Sequence, residues 1–308
     1  AIRDMNLRKR LFEEYAGRMA DGNNMVFPFE DTYPSRLKEI YDRPNVIYYK
    51  GRLPSDDVKS VAVVGSRNCS EYGRSVAMEL GRVLATAGAQ VISGLALGID
   101  VAAHQGAVLA GGTTFAVLAG GVDLCYPKQN FNTYVDIMRN GGVISEFPDN
   151  TLTRPGMFPL RNRIISGLCD AVIIVEAGMK SGSLITAAQA LEQNRQVYAV
   201  PGRIGDGNSE GCNHLIWQGA QIVCSYDDLL AELDLDISDS TKTSEKNILL
   251  ASDEKMLYSQ LLDFSPKSLE TLIKETGMSQ MQVFQALLTL ELKGLIKEIS
   301  KNFYVRIL

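Results

Sequence analysis

Cysteine and histidine are scarce in this sequence, and their scarcity removes whole classes of chemistry. The five cysteines (Cys69, Cys125, Cys169, Cys212 and Cys224) are odd in number, scattered and never spaced Cys-x-x-Cys. That pattern excludes a disulfide framework and a zinc site, and reads as the reduced thiols of a cytoplasmic protein. The two histidines, His104 and His214, leave no His-rich metal cluster and few candidates for a Ser-His-Asp enzyme. No apolar run approaches the roughly 20 residues of a membrane-spanning helix. Ala1-Ile2-Arg3 carries no secretory signal, and a start without Met is expected of a sequence that begins inside a longer chain. A strong charge of either sign is missing as well. The net charge of −5 is confined to one stretch: residues 227–247 hold 2 basic and 7 acidic groups, whereas 1–60 hold 11 and 10, 61–226 hold 11 and 12, and 248–308 hold 7 and 7. Near-neutral folded parts give no global signal for nucleic acid, yet a local basic groove remains compatible with them.

What is present is a regular alternation of β and α patterns. Val61–Gly65 is a continuous apolar run ending in glycine, as a strand buried on both faces should be. Further strands are expected at Gln90–Ser93, Thr113–Ala119, Gly142–Ser145, Ala171–Val175, Gln196–Val200 and Gln221–Cys224. Helical patterns separate most of them: Glu71–Ala87, Ile99–Ala110, Asn130–Asn140, Ser183–Gln193 and Asn213–Gln218. This order predicts an α/β, Rossmann-like, doubly wound and mostly parallel sheet over residues 61–226. Residues 1–60 read as a lead-in appendage, with a helix over 1–20 and short strands at Met25–Phe29 and Val46–Tyr49. Residues 227–252 read as an acidic helix running into a polar linker. In 253–308, helices at Asp253–Leu262, Pro266–Thr276 and Ser279–Lys293, then a hairpin at Ile296–Ile307, predict a C-terminal winged-helix domain.

The usual nucleotide signatures are absent. Gly65-Ser-Arg-Asn-Cys-Ser-Glu-Tyr-Gly73 is not Gly-x-Gly-x-x-Gly, the second strand ends in Ser93-Gly94 without a carboxylate, and no P-loop sequence occurs. The loops contain equipment for anions instead. In a parallel sheet all loops leaving the carboxyl ends of strands open on one edge, which gathers Ser66-Arg67, Ser93-Gly94 and Lys180-Ser181-Gly182-Ser183. Small residues at a helix start expose backbone N–H groups to a phosphate. Arg161-Asn162-Arg163 and Phe158 fall nearby in sequence. The domain has nine arginines but only two lysines, Lys128 and Lys180, both in loops after strands. Cations that track phosphates, with a ring for stacking, are the chemistry of single-strand nucleic-acid binding.

The same residues carry a family resemblance. Val64-Gly-Ser-Arg67, Tyr72-Gly73, Ser93-Gly-Leu-Ala-Leu-Gly-Ile-Asp100, Ala103-His104, Tyr126-Pro127, Asn130, Ser145-Glu146, Phe158-Pro-Leu-Arg-Asn-Arg163, Glu176, Lys180-Ser-Gly-Ser-Leu-Ile-Thr186, Val200-Pro-Gly202, Gly211, Asn213-His-Leu-Ile216 and Gly219-Ala220 follow one another as in the DNA-processing protein A (DprA/Smf) family. The segment Tyr33-Pro34, Pro44, Tyr49, Gly51 is similar to that family's lead-in, and the C-terminal module to its accessory domain. The resemblance implies a non-enzymatic protein without cofactor or metal. Such proteins bind and protect incoming single-stranded DNA during natural transformation, load a RecA-type recombinase onto it, and form homodimers. Carried over by motif, Ser66, Arg67, Ser93, Gly94, Lys180, Ser181, Gly182 and Ser183 would hold phosphates. Phe158 would stack, Arg161, Asn162 and Arg163 would line the groove, and Asn130 would add a weak contact. The loop before Phe158 reads Thr153-Arg-Pro-Gly156, so a basic contact there would fall to Arg154.

Each residue also has an ordinary reading. Arg67 could pair with Asp100 or Glu146. Arg161 and Arg163 lie two positions apart on a helix and diverge by about 200°, so one of them is expected to pair with Glu176 or Asp170. Asn162 could cap its helix. Asp100 and His104, four apart, are expected as a hydrogen-bonded structural pair, and Trp217 as a core residue. Two other functions compete. Nucleoside-monophosphate phosphoribohydrolases share the fold, but Thr186 stands where their catalytic Glu belongs, and an acid/base mechanism would lose its carboxylate. A winged-helix transcription regulator needs cations around its recognition helix, and residues 279–293 carry one, at the far end.

Overall fold

The computed structural model describes residues 24–235, 251–261, 267–300 and 302–306. The helix expected over 1–20 and most of the expected linker lie outside the described residues. Two compact units are present, 1–238 and 239–308.

The first unit is built on a nine-stranded sheet. Its strands are β1 (Asn24–Val26), β2 (Ile47–Gly51), β3 (Ser60–Gly65), β4 (Gln90–Ser93), β5 (Thr114–Val117), β6 (Gly142–Ser145), β7 (Ala171–Val175), β8 (Gln196–Ala199) and β9 (Gln221–Ile222). Their spatial order is β1-β2-β6-β5-β4-β3-β7-β8-β9. From β6 to β9 all neighbours are parallel. The chain builds outward from β3 through β4 and β5 to β6, then returns to the other side of β3 as β7. The doubly wound expectation therefore holds, with the reversal at β3. The appendage expectation does not. β1 and β2 pair antiparallel and extend the same sheet through β6, and Tyr33, Leu37, Ile40 and Ile47 are buried in the same core. The short apolar strand pattern at Val46–Tyr49 was visible in sequence, whereas its docking on β6 depends on a partner strand about a hundred residues away.

Helices cover both faces because strand side chains alternate. Even-numbered Ala62, Val64, Ile92, Val172 and Ile174 join the core under α5 (Met157–Gly167), α6 (Gly182–Glu192) and α7 (Glu210–Trp217). The other layer consists of α2 (Glu71–Thr86), α3 (Ile99–Leu109) and α4 (Phe131–Asn140), while α1 (Ser35–Lys38) belongs to the lead-in. Val76, Ala77, Leu80, Val83 and Leu84 of α2 form a buried stripe at helical spacing. The acidic segment begins with α8 (Tyr226–Glu232), capped by Ser225 and seated through Leu229 and Leu230. Trp217 departs from the core reading: it is 80% exposed at the end of α7, where it stacks on His214.

The second unit has α9 (Ser252–Gln260), α10 (Leu269–Thr276) and α11 (Gln280–Leu292) around Leu257, Leu272, Val283, Leu287 and Leu290. Beside them lies a three-stranded sheet, β10-β12-β11, of β10 (Lys267–Ser268), β11 (Ile296–Ser300) and β12 (Phe303–Arg306). The start of the second expected helix is thus a strand, because Lys267 and Ser268 pair with β12 and Ser268 caps α10 instead. The outward face of α11 shows Met281, Phe284, Leu288 and Leu292 and no cation, which is unlike a duplex-reading helix.

His104 does not pair with Asp100. Its Nδ1 lies 2.7 Å from Thr114 Oγ1, and that hydroxyl spends its proton on the Val91 carbonyl, so Nδ1 carries the ring proton. Nε2 is buried without a partner among the described residues. Burial, and then the charge of Arg161, push the imidazole down to about 3. The unfolded ring takes a proton near 6.5 and the folded one does not, so stability is present above the unfolded value and falls with acidification. By pH 5 the loss from this group is roughly 2 kcal/mol. Ring NMR signals should show His104 neutral from pH 7 to pH 5; titration near 6.5 overturns this.

Candidate nucleic-acid interface

The strand reversal sets the position of the site. β3 and β7 are neighbours, so the loops leaving their carboxyl ends lie side by side, as expected of a switch point in an open α/β sheet. A cleft of about 760 Å³ opens there, with Ser66, Arg67, Asn68, Phe158, Asn162 and Lys180–Ser183 among its lining residues. Gly65 allows the two strand ends to close up: a Cβ there would lie 1.8 Å from the Val175 carbonyl oxygen. Beyond the ladder, Ser66 N–H donates to the Glu176 carbonyl, and the Glu176 carboxylate accepts from Ser70 N (2.8 Å) and Ser70 Oγ. Ser70 in turn caps α2. Glu176 is therefore a strut between the two loops.

Arg67 and Lys180 are exposed on this cleft. Neither forms an ion pair among the described residues, so the pairing of Arg67 with Asp100 or Glu146 does not occur. The Arg67 guanidinium lies 4.5 Å from the Phe158 ring centroid, a cation–π contact that leaves its donors available. Lys180 precedes the start of α6, where Ser181 accepts from Ser183 N–H. The helix dipole and first-turn N–H groups make this end favourable for an anion. Phe158 is half-buried, with Tyr126 tilted beside it at 6.2 Å.

The remaining expected contacts have other duties. Ser93 is fully buried and its Oγ donates to the Val63 carbonyl at 2.6 Å. Gly94 N–H and Ala96 N–H are taken by Asp100 Oδ2 at 3.1 and 3.4 Å. The Ser93-Gly94 turn thus offers a phosphate neither of these N–H groups nor the Ser93 hydroxyl. Asn130 is buried and donates to the carbonyls of Leu95 and Ala96. Arg161 is 4% exposed, and its Nη1 donates to the carbonyls of Gly94 (2.7 Å) and Val117. Arg163 is turned away from the cleft and pairs with Asp42 and Glu146, both at 2.8 Å, not with Glu176 or Asp170. Asp170 serves Arg36. Asn162 does not cap its helix; it accepts from Arg161 Nε and donates to the Gly182 carbonyl. Arg154 is exposed next to Pro155, which lines the cleft.

Asn68 and Asn208 also line the cleft and were not singled out in sequence. Asn208 Nδ2 donates to the Asn68 carbonyl at 3.1 Å, joining the loops after β3 and β8. Asn68 adjoins Arg67, so the rule that gathers loops at one sheet edge could have found it. Thr186 is buried on the cleft wall. The Glu146 and Glu176 carboxylates at this edge are held by Arg163 and Ser70. Burial raises Asp100, opposed by Arg161 and by its two backbone donors. Burial lowers Arg161 to about 10, opposed by Asp100, so it remains a cation at neutral pH. Among the described residues no group of His, Cys, Asp and Glu is placed to hold a metal, and no helix is long and apolar enough to cross a membrane.

Comparison with known proteins agrees with the motif order. The family model described as DNA recombination-mediator protein A matches residues 24–234, and that of the DprA winged helix domain matches 242–300. The DNA processing protein DprA of Streptococcus pneumoniae is 46% identical over 205 residues, which cover 67% of this chain and 72% of that protein. Protein Smf of Escherichia coli is 34% identical over 316 residues, covering 100% of this chain and 84% of that protein. The crystal structure of the Streptococcus pneumoniae protein superposes with a TM-score of 0.65 at 42% identity, over 75% of this chain and 83% of that one. DNA processing protein A from Helicobacter pylori, whose structure was described for its single-stranded DNA binding mode, gives a TM-score of 0.63 at 29% identity, over 70% of this chain and 97% of that one. With the family model spanning the whole described sheet unit, and with relatives of this identity across it, the chain belongs to the DNA recombination-mediator protein A family.

Proposed function

We propose that this protein binds single-stranded DNA through the cleft at the β3–β7 reversal, with little sequence preference, and protects it. As the family resemblance implies, it would hand the strand to a RecA-type recombinase during DNA uptake, acting in the cytoplasm as a homodimer and not as an enzyme. One observation carries the reading: two exposed cations, Arg67 and Lys180, which have no ion-pair partner among the described residues, share one cleft with the half-buried Phe158 ring. Phosphates would sit against Arg67, Ser66 and the Lys180–Ser183 turn, with a base against Phe158. Such groups sense backbone charge and base faces but read no base edges. The Helicobacter pylori relative was described for its single-stranded DNA binding mode, which supports a single strand as the ligand here.

Gel shifts across a salt series should give tighter binding to a single strand than to a duplex of equal length. Equal or tighter duplex binding, or dependence on one sequence, rejects the reading. Arg67→Ala and Lys180→Ala should each weaken single-strand binding by roughly 1–3 kcal/mol, the range of charge-assisted hydrogen bonds. Their melting temperatures should change little, because neither cation has an ion-pair partner among the described residues. The double variant should fall short of additivity if both touch one phosphate. A destabilised Arg67→Ala protein with normal affinity would remove Arg67 from the site. Light scattering at micromolar concentration should report a dimer; a 34 kDa species alone counts against it.

A further inference from the structure

The loop from Gly94 to Leu97 forms one wall beside the cleft and carries an unusual backbone: Leu95 adopts φ 55° without being glycine. Such a conformation persists only where its surroundings hold it. Three buried side chains do so. Asp100 takes the N–H groups of Gly94 and Ala96. Asn130 donates to the carbonyls of Leu95 and Ala96. Arg161 donates to the carbonyl of Gly94 and, in the same bond set, to that of Val117 at the end of β5. Gly94 is thus held at both ends, its N–H by an anion and its C=O by a cation. The fit is close: a Cβ on Gly94 would lie 2.1 Å from Arg161 Nη1. Arg161 also lies 5.9 Å from the Phe158 ring, on which Arg67 sits at 4.5 Å, so one buried and one exposed guanidinium contact the same ring.

We propose that Arg161 and Asp100 are positioning residues: from the cleft floor, which both line while almost fully buried, they fix the Gly94–Leu97 wall and the Phe158 ring for a single strand, without touching it. This rests on the single-strand reading of the cleft. It assigns to a buried pair a role that sequence alone gives to Arg161 as a groove-lining contact. A charge acting only through the field predicts something different for Asp100. Removing an anion beneath a phosphate groove should tighten binding, whereas removing an anchor of the wall should weaken it.

The test uses Asp100→Asn, which nearly preserves shape, and Arg161→Gln in the full chain. Each is measured for melting temperature, for single-strand affinity well below its melt, and for the slope of log K against log salt. Amide hydrogen exchange at Gly94 and Ala96 is followed without DNA, so that loosening of the wall is seen independently of binding. Positioning predicts faster exchange at both amides in Asp100→Asn and binding weaker by roughly tenfold or more in both variants. The salt slope stays as in the parent chain, because no phosphate contact is lost. A direct contact by Arg161 would lower that slope by about 0.7 and overturn the proposal. Unchanged or tighter binding by Asp100→Asn overturns it as well, whatever its melting temperature. If the parent chain binds no single strand, the proposed function fails, and the exchange rates still report whether Asp100 holds the wall.

Discussion

Where β3 lies parallel to β7, in register from Val61 opposite Ala171 to Gly65 opposite Val175, two loops far apart in sequence leave the sheet at one point. The chain reverses its direction of sheet building at this pair, so no crossover helix fills the space above it. Arg67 and Lys180 line one cleft for that reason. The neighbouring supports follow from the same pairing. Ser66 continues the ladder onto Glu176, and Glu176 reaches back to Ser70 at the start of α2. A glycine at position 65 is needed because the two backbones approach too closely for a side chain.

Charge in this protein is sorted by depth. The cations at the cleft that form no ion pair among the described residues, Arg67 and Lys180, are exposed, where holding a charge costs little and a phosphate can reach it. Those inside the fold are held in place. Arg161 is bound to two carbonyls and an amide oxygen, and Arg163 to two carboxylates. Burying a guanidinium is costly unless it is paired and hydrogen-bonded; these bonds offset that cost for both, while Arg163 Nη1 has no hydrogen-bond partner among the described residues. Adjacent members of one sequence motif therefore divide the labour: Phe158 faces the cleft, Arg161 braces it from below, and Arg163 ties α5 to the lead-in.

The sequence by itself determined the alternation of strands and helices, the winged-helix module, the family and the edge of the sheet at which the loops after the parallel strands gather. These depend on local patterns: apolar runs of strand length, helical periodicity, and glycine or serine at strand-to-helix turns. Which cations reach that edge was settled by tertiary structure. Arg67, Arg161 and Arg163 read alike in sequence, as did Ser93-Gly94 and Ser181-Gly182. Their fates differ because the side chains and backbone groups that satisfy them come from distant elements: Asp42 in the lead-in for Arg163, Gly94 and Val117 for Arg161, Asp100 for the Gly94 amide. The exposure of Trp217 and the joining of β1 and β2 to the main sheet have the same origin. Local propensity specifies an element, but burial and hydrogen-bond satisfaction depend on what the folded chain brings alongside it.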